Sequence, residues 1–216
     1  MDLPSQPSSP LVSAALAVLK AAREQGFEIT KTKLAKLLYM ADLRAVEIGS
    51  VQFTGATWRW DNYGPYDAAL AHTEYELADS ELIDRNDSRL SDDSFGACVL
   101  TLVVDIEDPL PGESMQIVRD TVRRHGSKSS TALRDLSYKT PPMVEAQAGA
   151  ERGVLLDLSR VRRRNQVKAL LARAKARRPH RPLQENDPGV GAELLVELMT
   201  STDSIRRANG KVLGDQ

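Results

Sequence analysis

Cysteine is nearly absent. Cys98 stands alone among 216 residues, which excludes an intramolecular disulfide framework and points to a reducing, cytoplasmic compartment. Histidine is scarce as well. His72, His125 and His180 lie far apart with no C-x2-C or H-x3-H spacing around them, so the sequence offers no metal site. No apolar run reaches the roughly 18 residues that crossing a bilayer requires, so no membrane partner is expected. Leu11–Leu19 has the apolarity of a signal-peptide core, but the segment before it, MDLPSQPSSP, carries no positive charge. GVGAE, ending at Glu193, lacks the G-x4-G-K-[ST] pattern of a phosphate loop. Carboxylates such as Asp84, Asp87, Asp92 and Asp93 sit in a polar connection that reads as solvated surface rather than acid–base machinery. The expectation is a protein that is not an enzyme and holds neither cofactor nor metal.

Aromatic residues make up only 5% of the chain, yet half of them fall in the stretch FTGATWRWDNYGPYD, Phe53 to Asp67. Trp and Tyr combine a large apolar area with a polar tip, so such a cluster either closes a core or forms a recognition surface. Alternation in W-R-W sends Trp58 and Trp60 to one side and Arg59 to the other, which suits a core. Tyr63, Gly64, Pro65, Tyr66 and Asp67 form a loop-to-helix turn and read as surface.

Helix signals bracket this segment. Ser9 and Pro10 form an N-cap and first-turn proline, and Leu11, Ala15, Val18 and Ala22 recur at helical spacing up to a stop at Gly26. Thr30 caps a second helix whose apolar face is Leu34, Leu37, Leu38 and Ala41, ended by Gly49. Pro65 is expected to open a third helix, with Asp67 in its first turn and Leu70, Thr73 and Leu77 on one face. Leu82-Ile83 starts a short strand, and Cys98–Val104 reads as a buried strand. Helices over Glu113–His125 and from Ser129 or Ser130 through Leu136 follow, then a further turn after Pro141-Pro142. Gly153–Leu158 is a short strand or a tether. A helix of about twenty residues begins near Ser159, with Val167, Leu170, Leu171 and Ala174 on one face.

The net charge of −1 conceals a segregation. Residues 1–155 carry 16 Lys and Arg against 23 Asp and Glu, whereas 156–182 carry 10 against 1. Arg162, Arg163, Arg164, Lys168, Arg173, Lys175, Arg177 and Arg178 make that arm able to neutralise phosphates. It lacks aromatic side chains for stacking on bases. Three readings of the arm stand side by side: a solvated helix face or one attached to the acidic body, a nucleic-acid contact, and a contact with an acidic protein partner.

Three ordered motifs carry a resemblance. TKTKLAKLLYMADLRAVEIGS contains Lys33–Tyr39 in the form K-L-x-K-L-[LI]-Y; FTGATWRWDNYGPYDAAL contains Tyr63-Gly64-Pro65; SSTALRDLSYKTPPMVEA spans Ser129 to Met143. Over about residues 11–150 the chain resembles the Panacea (SocA-like) antitoxin domain family of bacterial and phage toxin–antitoxin systems. It departs from the family pattern at Tyr138, where members often carry histidine, and at Met143, near an expected tryptophan. The resemblance implies a mainly helical domain with a small sheet that neutralises a cognate protein toxin by direct contact. It also implies a second route, delivery of the toxin to a protease.

Together the elements and the resemblance give an α+β fold, mainly α: a compact helical domain with a small antiparallel sheet and a helical C-terminal extension. The expected segments are a mobile N-terminus (1–9), the antitoxin-like domain (10–155), a basic helical arm (156–182), and a linker with a final amphipathic helix (183–216). Expected partner-binding residues are Tyr63, Gly64, Pro65, Tyr66, Asp67, Trp58 and Trp60. The runner-up function is a winged-helix-like nucleic-acid-binding regulator, with Lys31, Lys33 and Lys36 on a helix and Arg85 and Arg89 in a wing-like turn.

Overall fold

A computed structural model describes residues 9–87, 97–149, 151–177 and 196. The expected mobile N-terminus up to position 8, the linker at 183–189 and the final helix over Glu193–Met199 (Val196 apart) lie outside the described residues, as does Arg89 of the wing-like turn. The fold is α+β and mainly α, with small antiparallel sheets.

Local chemistry sets the first two helices. In α1 (Pro10–Glu24) the Ser9 hydroxyl accepts from the Leu11 N–H, and Pro10 occupies the first turn, where its missing N–H costs nothing. Strand β1 (Ile29–Thr30) runs directly into α2 (Lys31–Ile48), whose N-cap Thr30 accepts from Lys33 N–H. Gly49 ends α2 in the left-handed conformation, φ 102°. Leu34, Leu37, Leu38 and Tyr39 of α2 are fully buried. Each buried leucine contributes about 2 kcal/mol through apolar burial. Helix α2 is the hub: α1, α4 (Gly112–His125) and α5 (Ser130–Tyr138) all pack on it.

Helix α3 corrects an expectation. It spans Ala69–Asp79 and does not begin at Pro65. Arg59–Asp61 (β2) and Gly64–Tyr66 (β3) instead pair as an antiparallel hairpin, with Trp60 opposite Pro65. The expected face of α3 holds, for Leu70, Thr73 and Leu77 are buried.

The second sheet has the order β1-β5-β4, from β4 (Ile83–Asp87) and β5 (Cys98–Leu102). It is antiparallel, with Ile29 opposite Leu100 and Ile83 opposite Leu102. The apolar run in β5 is half-buried rather than covered on both faces: Leu100 and Leu102 point inward while Thr101 is exposed. Helix α6 (Pro141–Ala148) follows α5, and Thr140 between them joins the core. The Thr140 hydroxyl donates to Ser137 O at 2.6 Å, so its contact with Tyr39 at 2.7 Å is a bond that the Tyr39 phenol donates.

Two compact units divide the chain, one reaching Leu170 and the other taking Leu171 onward. Within the first, Leu156, Leu158 and Val161 belong to the core. The segment read from sequence as the start of the basic arm thus also contributes apolar packing. Helix α7 (Arg160–Arg177) begins there.

Candidate functional site

The aromatic segment is built outward from one buried carboxylate. Asp42 on α2 is fully buried and accepts from Phe53 N–H, Thr54 N–H, the Thr54 hydroxyl and, at 2.8 Å, Trp58 Nε1–H. Burial raises its carboxyl above the ordinary range, although all four donors pull the other way. This anchor fixes Trp58, whose ring meets Tyr39 edge-on with centroids 5.5 Å apart.

From Trp58 the chain runs into the β2–β3 hairpin, which is braced on every side. Along its outer edge, Trp60 N–H donates to Val154 O, and Leu156 N–H donates to Trp58 O. Arg59 reaches Gly153 O, and Arg152 donates to the Asn62 side chain. From α5, the Tyr138 hydroxyl donates to Asn62 O at 3.4 Å. From α2, Lys36 Nζ donates to Pro65 O at 2.8 Å. Past the hairpin, Asp67 accepts from Thr57 N–H and Ala69 N–H, tying it to the start of α3.

The Tyr-Gly-Pro motif now has a physical reading. Asn62 and Tyr63 form the turn, and Gly64 takes the left-handed step at φ 98°. A Cβ at Gly64 would stand 3.0 Å from Ser137 Oγ and 3.2 Å from Tyr138 Cε2. Glycine is therefore needed twice, for the backbone and for the close approach of α5.

A cavity of about 300 Å³ opens between the hairpin and the first turns of α2. Lys31, Thr32, Lys36, Asp61, Tyr63 and Tyr66 supply its polar and aromatic lining. Lys36 is only 2% exposed, and burial pulls its ammonium down to about 8 while Asp61 acts the other way. Burial also acts to lower Lys31, but the hydrogen bond and charge of Glu74 outweigh it and leave Lys31 raised. The Lys31–Glu74 pair measures 3.1 Å. Tyr66 is raised, first by burial and then by the carboxylates of Glu74, Asp61 and Asp67, against the opposing charge of Lys31.

The expected partner-binding residues separate into three groups. Tyr63 is 69% exposed at the hairpin tip. Trp60, Tyr66 and Asp67 are half-buried, and Gly64 and Pro65 are buried. Trp58 is 2% exposed and belongs to the core, so it supports the surface without forming it. Exposed Arg59, between buried Trp58 and half-buried Trp60, follows the expected alternation. Lys31, Lys36 and Asp61 join the site without having been singled out for it. Their one sequence signal was that both lysines flank or lie inside the KLAKLLY motif.

Of the readings of the basic arm, attachment to the body describes Arg162. Arg162 is half-buried and donates to Val46 O and Ser50 O, both at 2.6 Å, closing the C-terminal end of α2. Arg173 is exposed. The side chains of Arg163, Arg164, Lys168, Lys175 and Arg177, and all of Arg178, lie outside the described residues. Lys33 donates to Glu28 O at 2.6 Å, so each lysine at the start of α2 has an acceptor inside the fold.

A larger cavity, about 600 Å³, lies between α2, α4 and the first turns of α7. Its acidic groups are largely satisfied: Glu47 receives Arg44 and Asn165, and Asp120 receives Gln116 and Arg123. His125 on its wall is held below its ordinary value by burial and by the neighbouring Lys128 and Arg124 charges. Among the described residues no group of three or more His, Cys, Asp or Glu could hold a metal ion. No helix among them is long and apolar enough to cross a membrane. No family model, curated protein or solved structure matches the chain.

Proposed function

We propose that the protein is an antitoxin that neutralises a cognate protein toxin by direct contact, using the tip of the β2–β3 hairpin. The observation that supports this reading is the combination of an exposed Tyr63 with a hairpin fixed by Lys36, Tyr138, Arg152 and the 153–156 segment. An aromatic anchor on a pre-ordered support loses little conformational entropy on binding, which is the property of interface hot spots. The family resemblance points the same way. Delivery of the captured toxin to a protease is a second step compatible with the same contact, and a cytoplasmic location goes with the proposal. No catalytic step is assigned.

The winged-helix reading has less support. A recognition helix must be free to enter a groove, whereas α2 is packed by α1, α4 and α5 and its lysines are spent on internal acceptors.

The test is growth rescue together with co-purification, using the product of the neighbouring reading frame as the toxin. Tyr63→Ala is expected to weaken binding by about 2 kcal/mol, roughly thirtyfold, if this tip is the anchor. Undiminished rescue by folded Tyr63→Ala and Tyr66→Ala chains would take the hairpin out of the interface. A neighbouring product that is harmless to the cell would sink the antitoxin reading itself.

A further inference from the structure

The cavity beside the hairpin contains a charge that the fold leaves without a counter-ion. Lys36 Nζ carries three N–H donors, and among the described residues its hydrogen-bond acceptor is Pro65 O alone. Asp61 acts on it through charge at longer range, without an ion pair. The neighbouring Lys31 differs, because Glu74 neutralises it at 3.1 Å. A buried ammonium is costly unless it is paired. A group kept in this state in the lining of an open cavity is suited to receive an anion from outside.

The surroundings narrow the class of anion. Lys36 brings one positive charge that has no ion pair, which suits a singly charged group, and the exposed Asp61 on the same lining opposes a doubly charged phosphate. The Thr32 hydroxyl offers a further polar contact, and the rings of Tyr63 and Tyr66 offer apolar cover for a short carbon stem. Exposed Tyr63, the residue proposed above to meet the partner, lines the same cavity.

We infer that this cavity seats a carboxylate of the partner protein, an Asp or Glu side chain, on Lys36 Nζ with Tyr63 beside its stem. The source of the carboxylate rests on the antitoxin reading; the site itself rests on the geometry of Lys36. The arrangement gives the interface a specificity element, because a partner lacking the acid would leave the ammonium buried and unpaired.

The probes are acetate and benzoate, added to the full chain against sodium chloride at equal ionic strength. Side-chain nitrogen NMR follows the Lys36 ammonium through its titration. A bound carboxylate favours the charged form, so the midpoint is expected to rise from about 8 by about one unit. Lys33, outside the cavity lining, should stay where chloride leaves it. Tyr63→Ala keeps the fold and is expected to weaken the benzoate response more than the acetate response; Lys36→Met removes both.

A Lys36 midpoint indifferent to both carboxylates would overturn the site, as would a stronger response to inorganic phosphate. Growth rescue separates this from the parent reading. Rescue by a chain whose Lys36 ignores carboxylates removes the site and keeps the antitoxin. Carboxylate binding by a chain that rescues no toxin overturns the partner as the source of the acid.

Discussion

The two sheets of this protein are held by different forces. In the β1-β5-β4 sheet, Leu100, Leu102, Ile29 and Ile83 turn into the core, so burial of apolar area fixes the strands. The β2–β3 hairpin buries Gly64 and Pro65, but its anchors are polar: Asp42 below Trp58, Lys36 on Pro65 O, Tyr138 and Arg152 on Asn62. Two isolated strands are marginal in water, and this pair keeps its shape through directional bonds from three separate parts of the chain: α2, α5 and residues 152–156. Apolar packing tolerates small displacements, whereas hydrogen bonds and ion contacts fix position and orientation. The β1-β5-β4 sheet thus serves stability, and the β2–β3 hairpin keeps a surface in one conformation.

The sharpest way to break that contrast is Asp42→Ala. It removes the acceptor of four donors, among them buried Trp58 Nε1–H and the Thr54 hydroxyl. The expected loss is about 4 kcal/mol, from unsatisfied buried donors. Denaturant unfolding measures it, and hydrogen exchange should show protection lost first in the hairpin and later in β5.

Gly64→Ala comes next, at about 3 kcal/mol, combining left-handed strain with overpacking against Ser137 and Tyr138. A loss below about 1 kcal/mol would mean that the hairpin yields easily, against the rigidity argued for it.

Lys36→Met is expected to act in the opposite direction. The ammonium falls from 10.5 to about 8, a cost near 3 kcal/mol at neutral pH. Losing the bond to Pro65 O offsets part of the relief and leaves a gain of about 1 kcal/mol. The folded value lies below the unfolded one, so the unfolded chain holds more protons between about 8 and 10.5. Wild-type stability from this group therefore rises with pH across that window, and the gap to the methionine variant closes and then reverses. Melting curves of both chains at neutral and alkaline pH test the sign. A more stable chain with poorer toxin binding is the behaviour of a residue kept for function.

Tyr63→Ala has the smallest expected effect on folding, within about 0.5 kcal/mol because the side chain is exposed. Paired with its expected binding loss, this substitution most directly separates surface from support.

Much of the helical frame was legible because its signals are local. Ser9, Thr30 and Ser129 cap the helices they precede, and Gly49 and Pro141 stand at helix boundaries, each acting within a few residues of itself. The second strand of the hairpin was not legible. Pro65 has the form of a first-turn helix residue, but pairing with Trp60 and the donation from Lys36 hold it in a strand, and those partners lie 5 and 29 positions away. Lys36 itself lies opposite the main apolar face of α2, and the sequence placed it only among the lysines of the nucleic-acid reading. Only the fold of the hairpin over it makes it a buried charge. Arg162 likewise read as one of a basic series, and only the packing of α7's first turn gives it a separate role.

That arginine has a consequence for how the protein is made. Its guanidinium completes the end of α2 from 116 and 112 positions away, with Leu156, Leu158 and Val161 arriving in the core at the same stage. At translation rates of about 5–20 residues per second, the central helix waits roughly 6–23 s for Arg162. A nascent chain paused before Arg162 would present an incompletely covered α2, and the finished state would form only once late synthesis had supplied what the early helix lacks.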